Sequence, residues 1–248
     1  MSGKVALIFG YGPRVGVDVA NAFAAKGYKV AVVSRSDKTG QVPKDFLALQ
    51  ADMMEPEKVE GVFKTVIEKL GHPSVVVYNA SANATAFDRT VPATKEIAAF
   101  QAEYNANVVS AYVAARLAVD SFNAIGSGSG TYIYTGNKLN FIVVPPLLSG
   151  GIGKSGAAHM VHYFAEEYKG QGHKFYYADE REANGNPTYS DINGPAHAEF
   201  YTSLAEGESQ QSWLATFVKG KGYVDFQELK LQEKGALKEE PKYEPVAQ

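Results

Sequence analysis

The apolar run Val5 to Phe9 breaks into three glycines, Gly10, Gly12 and Gly16, where an alanine-rich amphipathic segment begins. That spacing suits the binding of a pyrophosphate. Gly10 can turn with positive φ, Gly12 lets the backbone approach an anion, and Gly16 lets the next helix pack tightly on the strand. Free N–H groups and the helix dipole then face the negative charge. After the turn, Val15, Val19 and Phe23 recur at i, i+4 and i+8 with Ala20 and Ala24 beside them. This helical context separates a dinucleotide turn from an ordinary glycine turn.

A second group of residues bears on which dinucleotide is held. In sheets of this kind an acid at the end of the second strand receives the ribose hydroxyls of NAD. Here the position carries Ser34, followed by Arg35. Ser34 can hydrogen-bond a 2′-phosphate, Arg35 can pair with it, and Arg14 in the glycine turn adds a second cation. The expected cofactor is therefore NADP(H) rather than NAD(H).

Alternating strands and helices must position these groups. Strands are expected at 5–9, 29–34, 46–51, 74–78, 131–135 and 174–177, with helices at 15–26, 56–70, 95–122 and 154–168. Gly27 and Gly71 stop the first two helices, and 126–130 reads as a flexible turn. The alternation predicts an α/β fold, a Rossmann-like doubly wound parallel sheet in a single domain. That domain spans 1–226, and the Lys- and Glu-rich stretch 227–248 reads as a solvated tail.

Composition narrows the remaining classes. With 248 residues and 45% hydrophobic content the chain can bury a large core. A formal charge of −3 and the lack of a basic block give no reason to expect nucleic acid or a membrane surface as partner. The absence of cysteine excludes disulfides and thiolate chemistry, and no metal site is expected. Met1 to Lys4 lead straight into the first strand without a signal-peptide pattern, and no apolar stretch is expected to reach the length of a membrane span. The expectation is a cytoplasmic protein.

In their order these motifs resemble the short-chain dehydrogenase/reductase family over about residues 4 to 200. Asp52, with Met53 beside it, stands where the family has the acid that contacts the adenine amine. Asn79-Ala80-Ser81 stands where the family has Asn-Ala-Gly along the cofactor. Asn107 matches the helix asparagine that holds a structural water of the family's proton relay, and Lys154 matches the lysine that binds the nicotinamide ribose. The resemblance implies an oxidoreductase with a small-molecule substrate, pairing as a homodimer or homotetramer through the helices at 95–122 and 154–168.

The chain departs from the family where the chemistry is done. The catalytic tyrosine lies four residues before the lysine, and that position is Gly150; the family serine is replaced by Asn137. The usual middle glycine of the first motif is Arg14, and Ala178-Asp179-Glu180 replaces a Pro-Gly after the sixth strand. This pattern resembles an atypical branch without the phenol that donates a proton to a carbonyl. Lys154, Asn107 and Asn137 remain as catalytic candidates, Asn137 as a weak hydrogen-bond donor to a carbonyl oxygen.

Substitute proton donors are few. Tyr134 could point to the pocket or into the core; His159 and His162 follow Lys154 on one helix, and two turns bring His162 back near the lysine's face. Asp179, at the carboxyl edge of the sixth strand, is the better outsider. Phe175, Tyr176 and Tyr177 read as core more than pocket, and the apolar loop 141–148 would border an apolar substrate. Three functions follow: an NADP(H)-dependent oxidoreductase acting on a small carbonyl, enone or imine without the usual Tyr/Ser pair, a nonredox enzyme reusing the pocket, or a catalytically silent NADP(H)-binding sensor or scaffold.

Overall fold

The computed structural model describes residues 4–82, 97–126, 130–144 and 147–229. Strands β1 (Val5–Phe9), β2 (Lys29–Ser34), β3 (Leu47–Gln50), β4 (Val75–Tyr78), β5 (Thr131–Thr135), β6 (Lys174–Arg181), β7 (Leu214–Val218) and β8 (Gly222–Tyr223) form one sheet. Its order is β3-β2-β1-β4-β5-β6-β7-β8, parallel throughout except for the antiparallel β7–β8 edge. The direction of winding reverses between β1 and β4. A crevice at such a switch point, outside the carboxyl ends of the strands, is where ligands bind in open α/β sheets.

Central strands buried on both faces must be largely apolar; β1 and β4 are so throughout, and β7 is but for Thr216, whose hydroxyl bonds the Val224 carbonyl. On one face the sheet packs against α2 (Lys58–Leu70), α4 (Ser110–Ile125) and α5 (Leu148–Glu167). On the other it packs against α1 (Gly16–Ala25) and α6 (Gly194–Glu206). The α2 stripe of Val59, Val62, Phe63 and Val66 is buried as its helical spacing requires.

The helix expected at 95–122 is interrupted. After α3 (Ile97–Tyr104) comes one π-helical turn, Asn105–Val109, and then α4. Tyrosines on the sheet account for the break: Tyr78 donates its hydroxyl to the Ala106 carbonyl at 2.6 Å, and Tyr134 donates to Asn107 at 3.0 Å. Carbonyls captured this way are satisfied outside the regular helical ladder. Ile97–Ile125 also corrects the expectation about apolar stretches, because this 29-residue run is long and apolar enough to span a membrane, with 44% of its most apolar window buried. Its apolar side is the one that packs on the sheet through Ala111, Ala114, Ala115, Ala118 and Phe122.

Three boundaries move. α5 begins at Leu148 rather than Lys154, so Gly150, Gly151 and Gly153 lie within it. β6 runs on to Arg181, all eight residues buried, because Arg181 pairs with Asp179 and Glu228. That second pair also moves the tail boundary: Glu228 is bonded into the domain and Leu229 packs against the core, while 230–248 lies outside the described residues. Gly126 ends α4 with φ of 106°; the rest of the turn at 127–129, and Pro145-Pro146 of the apolar loop, also lie outside them.

Candidate functional site

A cavity of about 750 Å³ opens at the carboxyl ends of the strands, running from the glycine turn past Lys154 to the segment after β6. At its near end Gly10 has φ of 90°, and the N–H groups of Gly10 and Tyr11 both bond the Val33 carbonyl at 2.9 Å. A Cβ on Gly10 would lie 2.5 Å from the Ala80 nitrogen, and one on Gly16 would lie 2.3 Å from the Gly10 carbonyl oxygen. Gly12 has nothing within 4 Å of its missing Cβ. The turn is thus closed by backbone on the sheet side and open where an anion would approach.

Arg14, Ser34 and Arg35 line the wall beside the turn, with Val15 at the start of α1. Neither arginine has an ion-pair partner among the described residues. The Ser34 hydroxyl donates to the Ser36 carbonyl at 2.6 Å, so its oxygen is left as an acceptor and the cations carry the attraction for a phosphate. Lys38 stands on the same wall, a third cation that the sequence reading missed; its signal was the run Ser34-Arg35-Ser36-Asp37-Lys38.

Further along, Asp52 accepts the Met54 N–H on Oδ1 at 3.0 Å, and the Met53 carbonyl is held by the Ser110 hydroxyl at 2.7 Å. Asn79 donates its side-chain amide to the Gly10 carbonyl at 2.8 Å, which stitches β4 to the glycine turn, and Ala80 and Ser81 continue the wall. Asn107 is buried on the π-helical turn with both ends of its amide clamped on Ala82. The Tyr134 hydroxyl lies 3.0 Å from the Asn107 carbonyl oxygen and 3.5 Å from Lys154 Nζ, and so bridges the two.

Lys154 is almost enclosed, with Nζ donating to the Thr135 carbonyl at 2.7 Å and lying 4.6 Å from the Tyr134 ring centre. Burial pushes its ammonium down to about 8, with Asp179 pulling the other way. Asn137 lines the cavity, but its Oδ1 caps the 3₁₀ turn Lys138–Asn140 by accepting the Leu139 N–H. Its side-chain NH₂ is the part left to donate. Gly150, four residues before Lys154, is buried in the first turn of α5.

A tyrosine four residues before a lysine does occur, at Tyr134 and Lys138, a pairing the sequence reading passed over. It makes no site. Tyr134 is stacked between Tyr78 and Tyr177, 5.7 Å from each at 9°, and is not part of the cavity wall. Lys138 bonds the Gly185 carbonyl and Glu228. His162 turns away to stack on Trp213 at 4.6 Å, and neither His159 nor His162 reaches the cavity. Phe175, Tyr176 and Tyr177 are core. From the apolar loop, Ile142 and Leu147 line the cavity, with Leu139 from the 3₁₀ turn just before it.

Asp179 does reach it. Burial raises its carboxyl to about 6 against the opposing pull of Arg181. Also on this side, and unread in the sequence, are Thr188, Tyr189, Ser190 and Ile192 from the segment between β6 and α6, and His197 from the first turn of α6. Tyr189 holds a positive φ of 48°.

A winding reversal, a glycine turn shut by backbone on one side, and unpaired cations at the end of β2 define a dinucleotide-type doubly wound α/β protein. Residues 4–179 match the profile of the short chain dehydrogenases, and the chain belongs to that family. It is 40% identical over 237 residues to the short chain dehydrogenase/reductase dmxR12 of Cryptosporiopsis sp. (strain 8999), covering 91% of this chain and 96% of that protein. The 3-oxoacyl-[acyl-carrier-protein] reductase MabA of Mycobacterium tuberculosis is 31% identical over 143 residues, 54% of this chain and 55% of that one. Among solved structures, a metagenomic short-chain oxidoreductase in complex with NADP superposes with a TM-score of 0.72 at 17% identity, over 87% of this chain and 97% of that one. The Brucella melitensis 3-ketoacyl-(acyl-carrier-protein) reductase complexed with NADH gives 0.72 at 20%, over 88% and 98%.

Proposed function

We propose that this chain is an NADP(H)-dependent oxidoreductase acting on a small, apolar carbonyl, enone or imine without the usual tyrosine and serine. The observation that carries the reading is a single cavity with the glycine turn and the unpaired Arg14 and Arg35 at one end and Lys154 at the other. The NADP in the metagenomic neighbour's complex is consistent with it. Bound there, the cofactor would supply or accept a hydride.

The chain's own residues do the rest. With the Gly10, Tyr11 and Gly12 N–H groups already bonded within the protein, the N–H groups of Arg14, Val15 and Gly16 would hold the pyrophosphate; Arg14, Arg35 and Lys38 would hold the 2′-phosphate, with Ser34 as an acceptor beside them. Asp52 and Met53 border the adenine, and Asn79, Ala80 and Ser81 the ribose side. Lys154, whose bond to the Thr135 carbonyl uses one of three ammonium protons, would bond the nicotinamide ribose, and Asn137 would offer its NH₂ to the substrate. Leu139, Ile142, Leu147 and Ile192 give the substrate an apolar seat. Copies pair through α4 and α5, whose outer faces expose Tyr112 and Tyr163.

The test is titration of the chain with NADPH, NADP⁺, NADH and NAD⁺, followed by nicotinamide fluorescence and thermal shift. NADPH is expected to bind most tightly. Arg35→Asp should weaken it about 10- to 100-fold, as loss of a charge-assisted phosphate contact predicts, and bring NADH level with it. Unchanged NADPH affinity in that variant would remove the phosphate assignment. Gly150 favours a second reading, a silent NADP(H)-binding sensor or scaffold. Phosphate-dependent binding without turnover over a broad carbonyl and imine panel would select it.

A further inference from the structure

The alternation of β6 decides where its charged end points. Phe175 and Tyr177 join the core beneath α4 and α5, whereas Tyr176 and Ala178 join the core beneath α1 and α6. The same period places Asp179 with Tyr177, on the face from which α5 brings Lys154, and Glu180 on the other face. There Glu180 accepts the Asn193 N–H at 2.8 Å and lies 3.5 Å from His197. Thr135 pairs with Ala178 across β5–β6, so Asp179 lies one residue beyond the carbonyl that holds Lys154.

The carboxyl is held from one side only. Arg181 donates Nε to Oδ2 at 2.7 Å, and its second nitrogen lies 2.6 Å from the same oxygen. Oδ1 accepts no hydrogen bond from the described residues, and Asp179 is part of the cavity wall. Arg181 is itself fixed by Glu228 at 2.8 and 3.1 Å and by the Gly185 carbonyl at 3.2 Å. One oxygen is therefore clamped and the other is left toward the cavity, beside the lysine that the family places at the nicotinamide.

We infer that Asp179 is the proton-transfer residue of this site, passing a proton through Oδ1 to the heteroatom of the substrate's double bond, with Arg181 as its positioning residue. The inference rests on the redox reading above. In reduction of a carbonyl, the carbon receives the hydride that the nicotinamide supplies, the displaced π pair moves to the oxygen, and the oxygen takes the Asp179 proton. Asp179 is left as a carboxylate paired with Arg181 and regains a proton from solvent through the open cavity. A carboxyl raised to about 6 by burial is poised for such exchange near neutral pH. Arg181 and Lys154 favour its charged form, Glu228 disfavours it, and Asp179 in turn raises the phenols of Tyr177 and Tyr201.

Three measurements on the full chain test it, with 4-nitrobenzaldehyde and 9,10-phenanthrenequinone as probe oxidants for NADPH. Carbon-13 NMR of labelled aspartate carboxyls should show one that titrates near pH 6 and is lost in Asp179→Asn. That variant should bind NADPH within about twofold of the parent and reduce the probes about 100-fold more slowly. Glu228→Gln removes the anion that raises Asp179, so the fall in kcat/KM with rising pH should move to lower pH. This variant reads the inference even if Asp179→Asn does not fold. A parent-like rate in Asp179→Asn, a pH limb unmoved in Glu228→Gln, or no aspartate titrating above pH 5 would overturn the inference and leave the redox reading standing. A parent chain that binds NADPH yet reduces neither probe would overturn both.

Discussion

Lys154 shows how one residue can serve a site at a cost to the fold. Its ammonium is buried against the Tyr134 ring with one carbonyl partner, and its folded value of about 8 is below the 10.5 of an exposed lysine. Below pH 8 the lysine is charged in both states, and folding bears the whole desolvation cost. Between about 8 and 10.5 the folded chain has released its proton and the unfolded chain still holds it, so stability rises with pH across that window. The rise is at most about 3 kcal/mol for a shift of this size. Lys154→Met should raise the urea midpoint at pH 7 and flatten the rise between pH 8 and 10. A variant less stable at pH 7 with the rise intact would assign that titration to another group.

At the scale of elements, glycines on α5 let the helix lie directly against the π-helical turn. A Cβ on Gly153 would come 2.9 Å from the Asn107 Cβ, and one on Gly156 would come 3.4 Å from Val108, whereas the nearest atom to a Cβ on Gly151 is 3.7 Å away. Gly153→Ala should therefore cost about 1–3 kcal/mol by crowding, more than the helix propensity it gains. Gly151→Ala should be neutral or stabilising by up to about 1 kcal/mol. Urea denaturation of the two variants checks the contrast, and equal effects would remove the close packing as the reason for Gly153. The sequence made β1, β2, β5 and the glycine turn legible, because short β-branched or aromatic runs with a glycine at or near one end leave little alternative. It did not show that α5 starts at Leu148, since glycines there read as loop and owe their helical state to tertiary contact. Nor did it show the end of β6, because Asp179, Glu180 and Arg181 look like surface until their partners at Asn193 and Glu228 are brought near. Arg14, Ser34, Arg35, Asp52 and Asn79, which the sequence singles out, do line the cavity; Lys38, Thr188, Tyr189 and His197 were not singled out, the last three because only the return of the chain to α6 places them there.

At the scale of the whole molecule, charges buried at the carboxyl edge of the sheet join distant parts of the chain. Arg181, fully enclosed, pairs with Asp179 on its own strand and with Glu228 beyond β8, and Glu228 also lies 3.3 Å from Lys138 after β5. The segment following the last strand is thereby tied to the carboxyl end of β6 and to the turn after β5. Removing one partner from a buried network leaves the opposite charge uncompensated, which costs far more than an exposed pair would. A chain ending at Gln227 should lose about 3 kcal/mol relative to one ending at Leu229, the low end of the range for a broken buried pair because Asp179 still holds Arg181. For a domain of this size that corresponds to a fall in Tm of about 6–12 °C. The packing of Leu229 against the core contributes to the same loss. Glu228→Gln in the chain ending at Leu229 separates the two, since it keeps the packing and removes the charge. A drop in that variant close to the truncation's assigns the stability to the ion network, and a drop close to zero assigns it to the leucine.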